Sequence, residues 1–157
     1  MVVVADTSPI NYLVLIGELE VLPRTFGVIT IPDSVFEELL QPAAPSECQS
    51  WKLGRPNWLE IRTPTRAPDP LLEYLGRGER DAIALSIELG AEQLLMDDKQ
   101  SRIEARKRRL PVIGTVAILE SASKLGLLNL KNALTRLRGT NFRISEEIMA
   151  RVLADNS

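Results

Sequence analysis

Apolar residues occur along the chain in short unbroken runs, separated by stretches in which they recur at helical spacing. The runs at 2–5, 28–31 and 93–96 lack the polar alternation of a half-exposed strand. Such runs are typical of central parallel strands, whose two faces are both covered by helices. Weaker strands are predicted at 59–62 and 111–114.

The intervening segments predict helices, bounded by glycine, proline, serine or asparagine. The predicted helices cover 11–16, 34–40, 71–75, 80–89, 99–110, 116–125, 130–137 and 145–153. A further piece at 19–26 is predicted to break at Pro23, and 41–57 is predicted to be irregular. Strands alternating with helices favour a three-layer α/β/α fold with a parallel, roughly five-stranded sheet.

The length of 157 residues fits a single domain, 1–157, with C-terminal helices from about 128 packed on it. No apolar run is long enough to span a bilayer, so no membrane association is expected. The first apolar run has no basic residue before it and ends at Asp6, so no signal peptide is expected. The single cysteine, Cys48, favours a cytoplasmic location, where thiols stay reduced.

The sequence contains no histidine, which excludes several classes of active site. Ser-His-Asp and Cys-His nucleophiles, imidazole acid–base chemistry and histidine-bound zinc are all ruled out. Catalysis would depend on carboxylates, hydroxyls, Lys or Arg, or on a metal held by oxygen. Because the net charge is −2, a nucleic-acid ligand would need a local basic patch.

Asp6 directly follows the first predicted strand. Ser8 is a good helix N-cap and Pro9 suits the first helical position, so Asp6 has no predicted capping role. In open α/β sheets, ligands bind at the carboxyl ends of the strands. Asp6 is therefore the first candidate site residue.

Other acidic residues also lie at strand ends or helix starts. They are Glu37, Glu38, Glu79, Asp81, Asp97 and Asp98. Crowded carboxylates repel one another, and a divalent cation such as Mg²⁺ or Mn²⁺ relieves that repulsion. Such an ion suits phosphodiester hydrolysis, because it activates water and stabilises charge on the phosphate.

Each of these acids also has a structural interpretation. Asp98 is suited to cap the helix that follows it, and Ser34 with Glu37 forms a predicted capping box. That box would leave Glu38 as the free acid. Glu79 and Asp81 would complement the positive end of their helix dipole.

Four segments together resemble the PIN domain in the order and spacing of their acids. They are VVADTS at 3–8, IPDSVFEEL at 31–39, GERDAIAL at 78–85 and LLMDD at 94–98. The chain is most similar to a PIN-like bacterial and archaeal branch related to VapC-type toxins, with its own C-terminal helices. Met96 stands where many of these toxins carry threonine, a departure that affects substrate choice more than the metal set.

The resemblance implies a parallel sheet between helices and a Mg²⁺- or Mn²⁺-dependent ribonuclease acting on single-stranded RNA. It also implies a homodimer and a cognate antitoxin protein as partners. The residues that match the family's metal acids are Asp6, Glu38, Asp81 and Asp98, with Asp97 beside the last. Thr7 or Ser8 matches a hydroxyl that lines the site, and Asn11 matches a nearby polar position.

A dense basic segment follows Asp98. Lys99, Arg102 and Arg106 recur at helical spacing and share one face. They are either a solvated face whose last-turn cations complement the helix dipole, or a surface that follows RNA phosphates. With Asn11, they are the candidate RNA-binding residues.

Three functions therefore remain open. The first is a metal-dependent endoribonuclease, the toxin of a toxin–antitoxin pair, with Thr7 or Ser8 orienting water or phosphate. The second is a PIN-fold module that binds nucleic acid or protein with little or no catalytic activity. The third, a phosphoaspartate receiver, is disfavoured because no Asp-x-Asp pair follows the first strand.

Overall fold

The structure, a computed structural model, describes residues 1–157 and is built around a five-stranded parallel sheet. The strands are β1 (Val3–Ala5), β2 (Ile29–Pro32), β3 (Leu59–Arg62), β4 (Gln93–Leu95) and β5 (Val112–Ile113). Their spatial order is β3-β2-β1-β4-β5, and every neighbouring pair is parallel. The predicted sheet and fold class are confirmed.

Nine helices surround the sheet. They are α1 (Thr7–Leu15), α2 (Val21–Phe26), α3 (Asp33–Leu39), α4 (Ser46–Gln49), α5 (Arg77–Leu89), α6 (Lys99–Lys107), α7 (Thr115–Lys124), α8 (Leu130–Arg138) and α9 (Glu146–Asp155). Short 3-10 turns occur at Ser50–Lys52 and Pro70–Leu72, the second where a helix at 71–75 was predicted. None of the helices has both the length and the apolar character needed to cross a bilayer.

The two faces of the sheet pack against different helices. Along β1, Val3 and Ala5 join one buried cluster and Val4 joins the other, because successive strand residues point to opposite faces. The larger cluster includes Leu134 of α8 and Val152 of α9, so the C-terminal helices share the main core. Helices α5 and α6 contribute to the smaller cluster on the opposite face.

The order of the strands gives the sheet a topological switch point between β1 and β4. From β1 the chain adds β2 and β3 on one side, and then crosses over to add β4 and β5 on the other. The backbone N–H of Asp6 donates to the carbonyl of Leu95 at 2.9 Å, which holds the ends of the two strands together. Such a switch point opens a crevice in which ligands bind, and Asp6 and Asp97 follow the two strands that border it.

Two predicted helix starts are wrong. Helix α1 begins at Thr7, so Asp6 and not Ser8 occupies the N-cap position, yet the Asp6 side chain makes no capping hydrogen bond. Asp6 is therefore still available for another role. In α3 the N-cap residue is Pro32, and the predicted capping box of Ser34 and Glu37 does not form.

Two other predicted boundaries also differ from the structure. Helix α2 is not broken at Pro23, because this proline lies in the first turn, where a missing N–H costs no helical hydrogen bond. Helix α5 begins at Arg77, three residues before the predicted start, which brings Glu79 into its first turn.

Candidate functional site

The Asp6 carboxyl group is buried at the switch point, with 3% of the residue exposed. Burial is the main cause that raises its pKa to about 8, and the backbone N–H of Thr7 lowers it only in part. The carboxylates of Glu79, Glu38 and Asp97 raise it further. Three acids therefore act on Asp6 in the same direction as its burial.

Glu38 is held against the start of α1. The Thr7 hydroxyl donates to Glu38 Oε2 at 2.6 Å. On the other side Gly78 makes room for Glu38, because a Cβ at Gly78 would lie 2.5 Å from Glu38 Oε1. Glu37 faces outward and accepts from Arg77 at 3.2 Å, so the two adjacent glutamates have different surroundings.

Glu79 lies in the first turn of α5 and faces the crevice. Its Oε2 accepts hydrogen bonds from the Ser101 hydroxyl at 2.9 Å and from the Gly76 backbone N–H at 3.2 Å. The resemblance to the family had favoured Asp81 at this position. Gly78 lets α5 approach Glu38, and Glu79 follows it in the first turn of α5.

Asp81 faces a different part of the molecule. Its Oδ2 accepts from the Ser34 hydroxyl at 2.6 Å and lies 3.9 Å from Arg77 Nε. Residues two apart on a helix point about 200° away from each other, so Glu79 and Asp81 cannot face the same way. Of these two acids, Glu79 is the one that raises the pKa of Asp6.

Asp97 and Asp98 also separate. Burial raises the pKa of Asp97, and the backbone N–H and hydroxyl of Thr115, both at 2.7 Å, act against that rise together with Arg102. Asp98 is exposed and caps α6, with the Ser101 N–H donating to it at 2.9 Å. The structural interpretation of Asp98 as an N-cap is confirmed.

The Ser101 hydroxyl lies between the carboxylates of Glu79 and Asp98. It lies 2.9 Å from Glu79 Oε2 and 2.8 Å from Asp98 Oδ2, and Ser101 is fully buried. A hydroxyl carries one proton and donates to one of these acids at a time. Asp98 therefore adjoins the crevice through Ser101.

The predicted polar residues of α1 divide into two places. Thr7 lies among the acids, bonded to Glu38. Ser8 and Asn11 line a separate cavity of about 280 Å³, together with Tyr12 and Asn141. Of the two candidate hydroxyls, only Thr7 contacts one of the acids that act on Asp6.

Two of the predicted basic residues, Arg102 and Arg106, line a groove of about 360 Å³ that includes Asp97. Lys99 is exposed and does not line it. Arg143 and Arg151 complete the groove from the C-terminal segment, and sequence reasoning missed both. No local pattern marks them, since they reach α6 only through the packing of distant elements.

Gly114 lies where the acids and the groove meet. A Cβ at this position would come within 2.8 Å of Arg102 Nη1 and 2.9 Å of Asp97 Oδ1. Only a residue without a side chain leaves space for both groups. Gly114 therefore allows an acid of the crevice and a cation of the groove to approach each other.

The donor set around Asp6 fits a hard divalent cation in its chemistry. All four carboxylates supply oxygen, which Mg²⁺ and Mn²⁺ prefer, and a cation would offset the repulsion that raises the pKa of Asp6. As the side chains lie, no three acids converge closely enough to share one ion. Thr7, Ser101 and Thr115 hold three of the acids in hydrogen bonds that an ion would have to replace.

Comparisons with known proteins agree with this architecture. The chain is similar to a PilT N-terminus domain protein from the hyperthermophilic archaeon Sulfolobus solfataricus P2, with 19% identity and a TM-score of 0.58. That likeness covers 82% of this chain and 98% of the other, and it concerns the fold. No curated protein matches the sequence significantly. Residues 2–157 match the family described as DUF3368: PIN domain, and the chain therefore belongs to the PIN domain family.

Proposed function

We propose that this protein is a Mg²⁺- or Mn²⁺-dependent endoribonuclease that cleaves single-stranded RNA. One observation carries the proposal: Asp6 is buried at the switch point of the sheet, and the carboxylates of Glu79, Glu38 and Asp97 add to the effect of that burial on its pKa. PIN domains generally use divalent metal ions. The proposed ligands are Asp6, Glu38, Glu79 and Asp97.

When bound, the ion would supply charge for the phosphate and activate water. The Thr7 hydroxyl, 2.6 Å from Glu38 Oε2, orients that carboxylate or the attacking water. Ser101 positions Glu79, and Thr115 positions Asp97 through two hydrogen bonds. Arg102, beside Asp97, is placed to bind a phosphate oxygen.

Direct ligation by Asp81 and Asp98 stays a prediction. Asp81 accepts the Ser34 hydroxyl, and Asp98 is exposed and caps α6. Asp98 adjoins Glu79 through the Ser101 hydroxyl, whereas Asp81 has Arg77 as its charged neighbour. We therefore assign both a supporting role next to the four proposed ligands.

We also propose that the protein is the toxin of a toxin–antitoxin pair, a homodimer in the cytoplasm that a cognate antitoxin binds. The resemblance to VapC-type toxins supports this role. Coexpression with the product of a small neighbouring reading frame tests it. We expect a stable complex with reduced ribonuclease activity, and growth inhibition when the chain is expressed alone.

A binding module with the PIN fold is the alternative function. One observation favours it: the hydroxyl groups of Thr7, Ser101 and Thr115 hold three of the acids, and no three acids converge on one point. Such a module would bind RNA or protein without metal affinity.

Cleavage of a labelled single-stranded RNA by the purified protein, with Mg²⁺, Mn²⁺ or EDTA, separates the two functions. We expect Asp6→Asn to reduce the metal-dependent rate by about 100-fold or more while the fold is retained. Asp155→Asn, an exposed position on α9, is the matched control and should leave the rate unchanged. Cleavage that survives in Asp6→Asn, or in EDTA, would exclude the proposed mechanism.

A further inference from the structure

The groove beside Asp97 has two walls from distant parts of the chain. Helix α6 supplies Arg102 and Arg106, and the C-terminal segment supplies Arg143, just before α9, and Arg151, within it. The remaining lining comes mainly from β5, the start of α7 and apolar residues of the C-terminal segment. A chain with a net charge of −2 thus gathers four arginines next to its candidate active site.

None of these four arginines forms an ion pair, whereas Arg136 and Arg138 elsewhere on the surface do, at 2.7 and 2.8 Å. The two acids that line the groove already have other hydrogen-bond donors. Thr115 donates to Asp97, and the side-chain amide of Asn156 donates to Glu120 at 3.0 Å.

One atom of Arg102, the side-chain Nε, also lacks a partner. This nitrogen is buried and forms no hydrogen bond. Buried donors without a partner are uncommon, and this one lies where the groove meets Asp97. Unpaired guanidinium groups that share a groove repel one another, and a bound polyanion relieves that repulsion.

The groove also has an apolar side. Val116 and Ile144 line it together with Ile148, of which 41% is exposed. Guanidinium groups next to apolar side chains suit a single strand, which presents phosphates and unstacked bases together. An acidic peptide would use the same cations, but the groove's position at Asp97 favours the strand that reaches the active site.

We propose that Arg143 and Arg151 bind backbone phosphates of the single-stranded substrate, opposite Arg102 and Arg106. The C-terminal segment is then the second wall of the substrate groove. This inference rests on the proposed function, because it identifies the groove by its position next to the proposed metal ligands. It requires no metal for binding.

Fluorescence anisotropy of a labelled single-stranded RNA of about 12 nucleotides, in EDTA to prevent cleavage, tests the groove. We expect the double variant Arg143→Gln/Arg151→Gln to bind about tenfold more weakly or worse. The slope of log K, the association constant, against log salt concentration is negative. Loss of two phosphate contacts should also reduce the magnitude of that slope by about 1.4. Arg143→Lys/Arg151→Lys should retain most of that salt dependence.

The control Arg24→Gln/Lys131→Gln removes the same charge from exposed positions outside the groove and should change affinity less than about twofold. Equal weakening in the control would mean that net charge alone matters, and would overturn the inference. Unchanged binding by the groove variant would also overturn it. Competition by an acidic peptide at lower concentrations than RNA would point to a protein partner and would likewise overturn it.

The binding and cleavage experiments distinguish a failure of the groove inference from a failure of the proposed function. If the wild-type protein cleaves RNA and the groove variant binds normally, the groove inference fails and the proposed function stands. If the groove variant loses binding but the wild-type protein never cleaves with any divalent ion, the groove stands as an RNA site and the nuclease fails.

Discussion

Glu79 and Asp81 lie two residues apart at the start of α5, yet they have entirely different surroundings. Glu79 faces the crevice and raises the pKa of Asp6, whereas Asp81 accepts a hydrogen bond from Ser34 and lies near Arg77. The comparison extends to the end of β4, where Asp97 acts on Asp6 and Asp98 caps α6.

These carboxylates form two groups. We call Asp6, Glu38, Glu79 and Asp97 the inner acids, and Asp81 and Asp98 the outer acids. The inner acids are the buried Asp6 and three acids that raise its pKa, and they would gain from a cation. Of the outer acids, Asp81 lies near Arg77, and Asp98 is exposed and caps α6. Neighbouring acids can therefore have different roles, because their positions on a helix or at a strand end give their side chains different surroundings.

The largest expected effect concerns the pH dependence of stability without metal. The pKa of Asp6 is about 8 in the folded protein against 3.8 as its ordinary value, so the folded state holds a proton that the unfolded state releases. This contribution to stability is fully present below about pH 4 and is lost as the pH rises towards 8. Asp97, whose pKa is also raised, acts in the same direction.

Urea unfolding in EDTA at several pH values measures this effect. From Asp6 alone we expect the free energy of unfolding to fall by about 3–5 kcal/mol between pH 4 and pH 8. Asp6→Asn should flatten the dependence, and Mn²⁺ should restore stability at pH 8. An equally steep profile in Asp6→Asn would show that Asp6 is not the source of the pH dependence.

Glu79→Gln and Asp81→Asn give the sharpest test of the two groups. We expect Glu79→Gln to weaken Mn²⁺ affinity by at least about 10-fold, measured by isothermal titration, because it removes a proposed ligand. Asp81→Asn should leave the affinity within about threefold and lower stability by about 1 kcal/mol, through its bond with Ser34. A larger loss of Mn²⁺ affinity in Asp81→Asn than in Glu79→Gln would identify Asp81 as the ligand and contradict the division into inner and outer acids.

The smallest expected effect concerns the packing that positions Glu38. Gly78→Ala places a methyl group 2.5 Å from Glu38 Oε1, so the carboxylate has to move. We expect about a threefold to tenfold loss of Mn²⁺ affinity with little change in the circular dichroism spectrum. Gly54→Ala, which meets no atom within 4 Å, is the control and should bind as the wild-type protein does.

The sequence was sufficient to predict the sheet and the position of Asp6 at its carboxyl edge. The unbroken run ending at Ala5 favours a strand buried on both faces, and an acid after such a strand lies at the ligand-binding edge. The predicted N-cap was wrong, but the side chain of Asp6 makes no capping hydrogen bond, so Asp6 stays a candidate site residue.

The choice between neighbouring acids was beyond sequence reasoning. The start of α5 at Arg77, three residues before the predicted one, places Glu79 in the helix, and the packing of α5 on the sheet decides which of its sides faces the crevice. Arg143 and Arg151 were missed for another reason, because their position in the groove with α6 follows from how α9 packs on α8 and α8 packs on α7. Local patterns carry no information on such distant contacts.

The absent side chain of Gly114 has a consequence for how the two ligands of the site would influence each other. Arg102 and Asp97 are near neighbours there, so a strand that draws the guanidinium towards its phosphate would leave the charge of Asp97 less compensated. A metal ion would then compensate that charge, and by thermodynamic reciprocity the ion would strengthen the binding of the strand. The missing methyl group would thus couple two binding events that would otherwise be independent.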